Sequence, residues 1–156
     1  AAWPGGNSKG YLEAPAGGKY DFQRDVIDPK PDLVIIEFVN DAYLDEAGLK
    51  AHYDGIMEKL RGAGAEVILL TPHLVRLDWL KSDVLQFDDD PRPYVKGLRL
   101  FAAENGVALA DAAKEWRRLW RQGIPYPTLL ENSINHPNPR GHAIFTRAIM
   151  GLFPEK

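Results

Sequence analysis

The stretch DLVIIEFV, Asp32 to Val39, follows a Pro-Lys-Pro breaker and is almost unbroken in apolar, largely β-branched residues. A strand with one wet face alternates between apolar and polar side chains. A continuous run needs cover on both faces, the condition of a parallel strand inside an α/β sheet. AEVILLT, Ala65 to Thr71, repeats the pattern, and GVALAD, Gly106 to Asp111, gives a shorter third strand. Between the first two runs, Leu49, Tyr53, Ile56, Met57 and Leu60 recur at helical spacing behind Asp45, a residue suited to cap the helix, and Gly62 and Gly64 close it. Further helices are expected over Tyr94–Asn105, after Asp111 with Trp116, Leu119 and Trp120 on one face, and over Gly141–Leu152. Strands alternating with helices predict an α/β fold with a parallel sheet, in one domain spanning residues 1–156. Ligands of such sheets bind where loops leave the carboxyl ends of the strands.

Two long segments fall outside this alternation. AAWPGGNSKGYLEAPAGGKY at the start reads as irregular, and so does Pro72 to Pro91, which holds Trp79 and the run Asp88, Asp89, Asp90. A connection of that length in a compact domain is usually functional, for example as a lid or a substrate wall. The three aspartates are oxygen donors for a hard cation or a solvated acidic patch. They lack the spaced ligand set of a metal site, so no metal or cofactor is expected.

Composition narrows the function. A formal charge of −3 provides no field for nucleic acid or an anionic membrane, so neither is an expected partner. With no cysteine there is no disulfide, thiolate nucleophile or cysteine-bound zinc, and the compartment stays open, secreted and periplasmic included. No apolar run approaches the roughly 18–20 residues of a membrane-spanning helix.

Three loop segments carry candidate chemistry. Asn40 and Asp41 follow the first strand, where an asparagine amide can donate to an oxyanion or simply close a turn. In PGGNS, Gly5 and Gly6 permit a tight turn that exposes backbone N–H groups. In SINHPNPRGH, His136 stands before Pro137, which biases it to extended backbone; it is either a general base or an inert loop histidine. His73 follows the second strand and is a candidate pocket wall, while His142 suits a capping role. Trp3, Tyr43 and Trp79 offer rings for sugar stacking or for packing.

PGGNS, FVND and NHPNPRGH, in this order, resemble the motif blocks of the SGNH hydrolases, also called the GDSL esterase/lipase family. The resemblance spans nearly the whole chain and implies a three-layer α/β/α, flavodoxin-like fold. By it, Gly5 and Asn40 are oxyanion donors and His136 is the catalytic base; His73 and Trp3 stay the candidate substrate-binding residues of the reading above. It implies a serine esterase acting on small acyl esters, with O-acetyl groups on carbohydrate as the expected substrate.

Two departures accompany the resemblance. The family's nucleophilic serine ends its first strand in a Gly-Asp-Ser motif, and none of Ser8, Ser82 and Ser133 stands in such a context. The first strand and its serine are therefore expected upstream of Ala1 or in a separate fragment. The family's aspartate three residues before the histidine is replaced by Ser133, with Glu131 nearby, which leaves a Ser-His dyad as the expected machinery. A non-catalytic carbohydrate- or ligand-binding module on the same fold is the alternative. A metal-dependent hydrolase built on the aspartate run is a third.

Overall fold

A computed structural model describes residue 3, residues 5–80 and residues 89–154. Its sheet has three parallel strands, β1 (Leu33–Ile36), β2 (Glu66–Leu70) and β3 (Ala108–Ala110), in the order β1-β2-β3. Leu33 pairs with Glu66 and Ile68 with Ala108. Helix α1 (Ser8–Glu13) precedes the sheet; α2 (Glu46–Gly62) joins β1 to β2, and α3 (Pro93–Asn105) joins β2 to β3. Helices α4 (Ala112–Arg121) and α5 (Pro139–Met150) follow β3. Parallel strands laid down in one direction with a constant crossover hand put both crossover helices on one face. The helices α2 and α3 accordingly share a core with Val67 and Leu69, while Ile68, Leu70 and Ala110 face Trp116 of α4 and Ile144 of α5. The sheet is thus the middle of three layers.

The predicted caps form. Asp45 accepts the Gly48 N–H at 2.8 Å and Asp111 the Lys114 N–H at 3.2 Å. Leu49, Tyr53, Ile56, Met57 and Leu60 are all buried, each leucine contributing about 1.5–3 kcal/mol by removal from water. Helix α5 begins two residues before the predicted Gly141, because Pro139 suits a first helical position and the Asn138 side chain accepts from Arg140 and Gly141. The opening segment is more ordered than its composition suggests. Asn7 caps α1 by accepting the Gly10 N–H at 2.7 Å, and Tyr11 on α1 stacks against Trp3 at 3.7 Å.

Among the described residues, β1 is an edge strand with one face only partly covered. Leu33 and Ile35 are 36% and 43% exposed, whereas the neighbouring Ile68 and Leu69 are buried. The continuous apolar run therefore has cover on both faces only where it reaches into the sheet. A cavity of about 290 Å³ runs along this edge between Ile35, Phe38, Tyr11 and Asn40. No described helix is long and apolar enough to cross a membrane.

Candidate functional site

The carboxyl edge of the sheet collects the candidate groups. β1 passes into a 3-10 turn, Val39–Asp41, that turns Asn40 outward and Asp41 inward. The Asn40 amide donates to the Gly6 carbonyl at 3.0 Å, joining the PGGNS turn to the end of β1 across 34 positions of sequence. An asparagine Nδ2 carries two hydrogens, so one remains for another acceptor. Gly5 has φ +67°, in the left-handed region that favours glycine, and among the described residues no hydrogen bond uses its N–H. The Gly6 N–H is already given to the Trp3 carbonyl at 2.9 Å. A Cβ on Gly6 would lie 2.9 Å from both that carbonyl and the Tyr11 ring, so Gly6 is required by close approach.

Beneath this turn lies a polar cluster that the sequence patterns left unnoticed. Asp41 is fully buried and takes the Ser8 N–H on both carboxylate oxygens, at 3.1 and 3.3 Å. The Ser8 hydroxyl meets Nδ1 of His52, on α2, at 3.0 Å. Burial pushes the Asp41 carboxyl up, against the lowering effect of the Ser8 hydrogen bonds and of His52. The residue types match a catalytic triad, but the arrangement does not. The aspartate holds the serine's backbone instead of the imidazole, and Ser8 is 0% exposed. His52 stands three residues after Leu49 and four before Ile56, and this spacing is the signal that placed it beside the core stripe.

The His136 loop docks one strand over. The loop ahead of α5 forms an antiparallel bridge between Leu130 and Pro137, and the Glu131 N–H bonds the His136 carbonyl at 2.7 Å. The loop rests on the segment after β2, where the Arg76 N–H donates to Ile134 O at 2.7 Å. His73 Nε2 meets Asn135 O at 2.8 Å, and a carbonyl only accepts, so the proton is on Nε2. His73 is 3% exposed, with Nδ1 enclosed and, among the described residues, without a hydrogen-bond partner. Burial lowers its pKa to about 4, so the ring is neutral at pH 7. Arg92 anchors the same segment, donating to the carbonyls of Pro72 and His73 while paired at 2.7 Å with the buried Asp90.

His136 is exposed, and among the described residues no hydrogen bond reaches its ring. Ser133 is exposed with φ +55°, and neither its hydroxyl nor the Glu131 carboxylate contacts the imidazole through a hydrogen bond. Gly141 at the start of α5 explains the glycine of NPRGH. A Cβ there would stand 2.5 Å from Leu129 O and 2.9 Å from Pro137. Gly141→Ala is expected to cost about 1–3 kcal/mol through this overpacking, read as a lowered melting temperature.

The structure thus joins Asn40 directly to Gly6, the neighbour of Gly5, and rests the His136 loop on the segment that leaves β2. His73 lies under the histidine loop, not on an open wall. Trp3 stacks on Tyr11 and, at 4.9 Å, on Tyr20, and it borders a second cavity of about 500 Å³ beside Gly5. Tyr43 and Trp79 are largely exposed, and the Arg76 guanidinium lies 5.7 Å from the Trp79 ring. Asp88 and Ser82 lie outside the described residues, while Asp89 pairs with Arg99 and Asp90 with Arg92. His142 is in the first turn of α5, exposed, with its ring 6.3 Å from Phe145.

Ligands of parallel α/β sheets bind at this edge, where the candidate groups collect. The chain belongs to the GDSL-like lipase/acylhydrolase family, whose model it matches over residues 1–144. No curated protein matches it. Among solved structures it is similar to Axe2, an acetylxylan esterase from Geobacillus stearothermophilus, at 19% identity and TM-score 0.70 over 97% of this chain and 69% of that one. It is similar also to LAE5, an alpha/beta hydrolase enzyme from the metagenome of Lake Arreo, Spain, at 20% identity and TM-score 0.70 over 94% of this chain and 67% of that one. At these identities the likeness is one of fold. Family and fold together support ester hydrolysis.

Proposed function

We propose that the chain supplies the oxyanion donors and the general base of a serine esterase for small acyl esters, with O-acetyl groups on carbohydrate as substrate. The observation that carries this reading is the Asn40 to Gly6 hydrogen bond, which unites two of the motif segments at the carboxyl end of β1, one strand away from the segment after β2 on which the third rests. A serine Oγ attacks the ester carbonyl carbon while His136 takes its proton. The Gly5 N–H and the remaining Asn40 N–H hold the tetrahedral oxyanion. Collapse expels the alcohol, which receives that proton from His136, and a water activated by the same imidazole then releases the acyl group as its acid. Trp3, with Tyr20, forms the aromatic border of the leaving-group side.

The serine itself is proposed to arrive on a strand that adds to the open edge of β1. Ser8 is sealed and its hydroxyl is engaged by His52, which argues against it as the nucleophile. Axe2 has been solved as catalytic mutants of a serine, an aspartate and a histidine. There the aspartate stands three positions before the histidine, where this chain has Ser133. The exposed Leu33 and Ile35 and the apolar cavity beside them suit a further parallel strand.

Labelling with a fluorophosphonate, followed by peptide mass spectrometry of every chain in the active preparation, tests this. The expected adduct is on a serine outside residues 1–156. An adduct on Ser8, Ser82 or Ser133 sinks the added-strand model. A complete lack of adduct and of p-nitrophenyl acetate hydrolysis would favour the non-catalytic binding module.

A further inference from the structure

We propose that Asn132 is a positioning residue for His136, fixing through the backbone what a triad carboxylate fixes through the ring. This rests on the reading of His136 as the general base. Asn132 Oδ1 accepts three successive amides, Ile134 at 2.9 Å, Asn135 at 3.0 Å and His136 at 3.1 Å, and its Nδ2 donates to Asn135 Oδ1 at 3.2 Å. One side-chain oxygen at the centre of the turn thus gathers every N–H from 134 to 136.

The carbonyls of the same residues are bound from outside the turn. Ile134 O is held by the Arg76 N–H, Asn135 O by His73 Nε2 and His136 O by the Glu131 N–H. Pro137 then restricts the backbone that follows. With both backbone groups of His136 committed, the imidazole is left only its two side-chain torsions. Ser133 provides no carboxylate to limit those further, and its φ of +55° is the conformation that lets the turn close under Asn132. Of the groups holding this loop, Asn132 alone gathers all three amides, so its removal frees all three N–H groups at once.

The test compares Asn132→Ala, Asn132→Asp, Ser133→Asp and the double variant Asn132→Ala with Ser133→Asp, in the protein together with its nucleophile. Amide hydrogen exchange at residues 134–136 reads the turn without reference to activity, and kcat and KM for p-nitrophenyl acetate read its use. Asn132→Ala is expected to lose exchange protection at all three amides and roughly tenfold or more in kcat, with KM nearly unchanged. Asn132→Asp keeps the acceptor oxygen and is expected to retain both properties.

Ser133→Asp gives the imidazole a carboxylate of its own, so in its background Asn132→Ala is expected to lose much less kcat although exchange stays fast. Equal losses of kcat in the two backgrounds overturn the positioning role, since a turn that only maintains the fold would show that additivity. Protected amides in Asn132→Ala overturn it as well. Should His136→Ala hydrolyse ester as fast as the parent, the functional reading falls and the positioning role with it. In that event the exchange data still report whether Asn132 holds the turn.

Discussion

Replacing His136 with alanine is expected to lower p-nitrophenyl acetate hydrolysis at least a hundredfold in the protein that carries the nucleophile, the range associated with loss of a general base. The fall should appear in kcat with little change in KM, because the role proposed for the exposed imidazole is to move a proton and not to bind the ester. Asn40→Ala should fall by a similar or larger factor, roughly 10²–10³, as the loss of one oxyanion donor predicts. It should also release the PGGNS turn, since the same amide holds the Gly6 carbonyl. The two variants differ in how their damage spreads. His136→Ala should leave the exchange of the Gly6 amide untouched, whereas Asn40→Ala should accelerate it. Turnover within threefold of the parent in His136→Ala would remove the histidine from the mechanism.

The second large effect concerns stability against pH, where two buried groups oppose one another. Glu37, just after β1, has one carboxyl oxygen enclosed and, among the described residues, without a partner, although the residue as a whole remains partly exposed. Burial pushes its carboxyl up to about 7, with the Val39 N–H and Arg92 opposing the rise and Asp41 adding to it. A raised carboxyl favours the folded state in full below about pH 4.5, and that contribution is lost as pH climbs towards 7. His73 behaves in the opposite sense. Its depressed value near 4 means the neutral ring stabilises the fold in full above about pH 6.5, a contribution lost as pH falls through 4.

Each swing amounts to about 3 kcal/mol by the conversion of pKa shift to free energy. From about pH 4.5 to 6.5 the two slopes cancel. Glu37→Gln should therefore expose the His73 dependence, with stability falling on acidification below pH 6.5. His73→Gln, which retains a donor for Asn135 O, should expose the Glu37 dependence, with stability falling as pH rises from 4.5 to 7. Urea denaturation at half-unit intervals reads both slopes. If either substitution shifts stability by the same amount at every pH, the corresponding group is not buried as described.

Much of the scaffold was legible because short-range physics governs it. The continuous apolar runs became β1 and β2, Asp45 and Asp111 became caps, and the 3.6-residue spacing from Leu49 to Leu60 became the inner face of α2. The loop positions of Asn40, Gly5 and His136 were also legible, since each stands after a strand or before a helix. The Asp41–Ser8–His52 cluster was not, because its members lie up to 44 positions apart and none is unusual locally. Trp3 and His73 were visible as residue types, but whether a ring lines a wall or is packed away depends on its neighbours in space, here Tyr11 and Tyr20 for the one and the His136 loop for the other.

By itself, then, the amino-acid sequence determined the α/β class, the parallel strands and the three motif segments, since periodicity, capping chemistry and loop composition act over a few residues. Only the tertiary structure decided that Asn40 spends one N–H on Gly6, that Ser8 is sealed, that β1 presents an open edge, and that Asn132 gathers the amides leading into His136. Those outcomes depend on which distant groups share a hydrogen bond and which surfaces lose water, and local propensity carries no record of either.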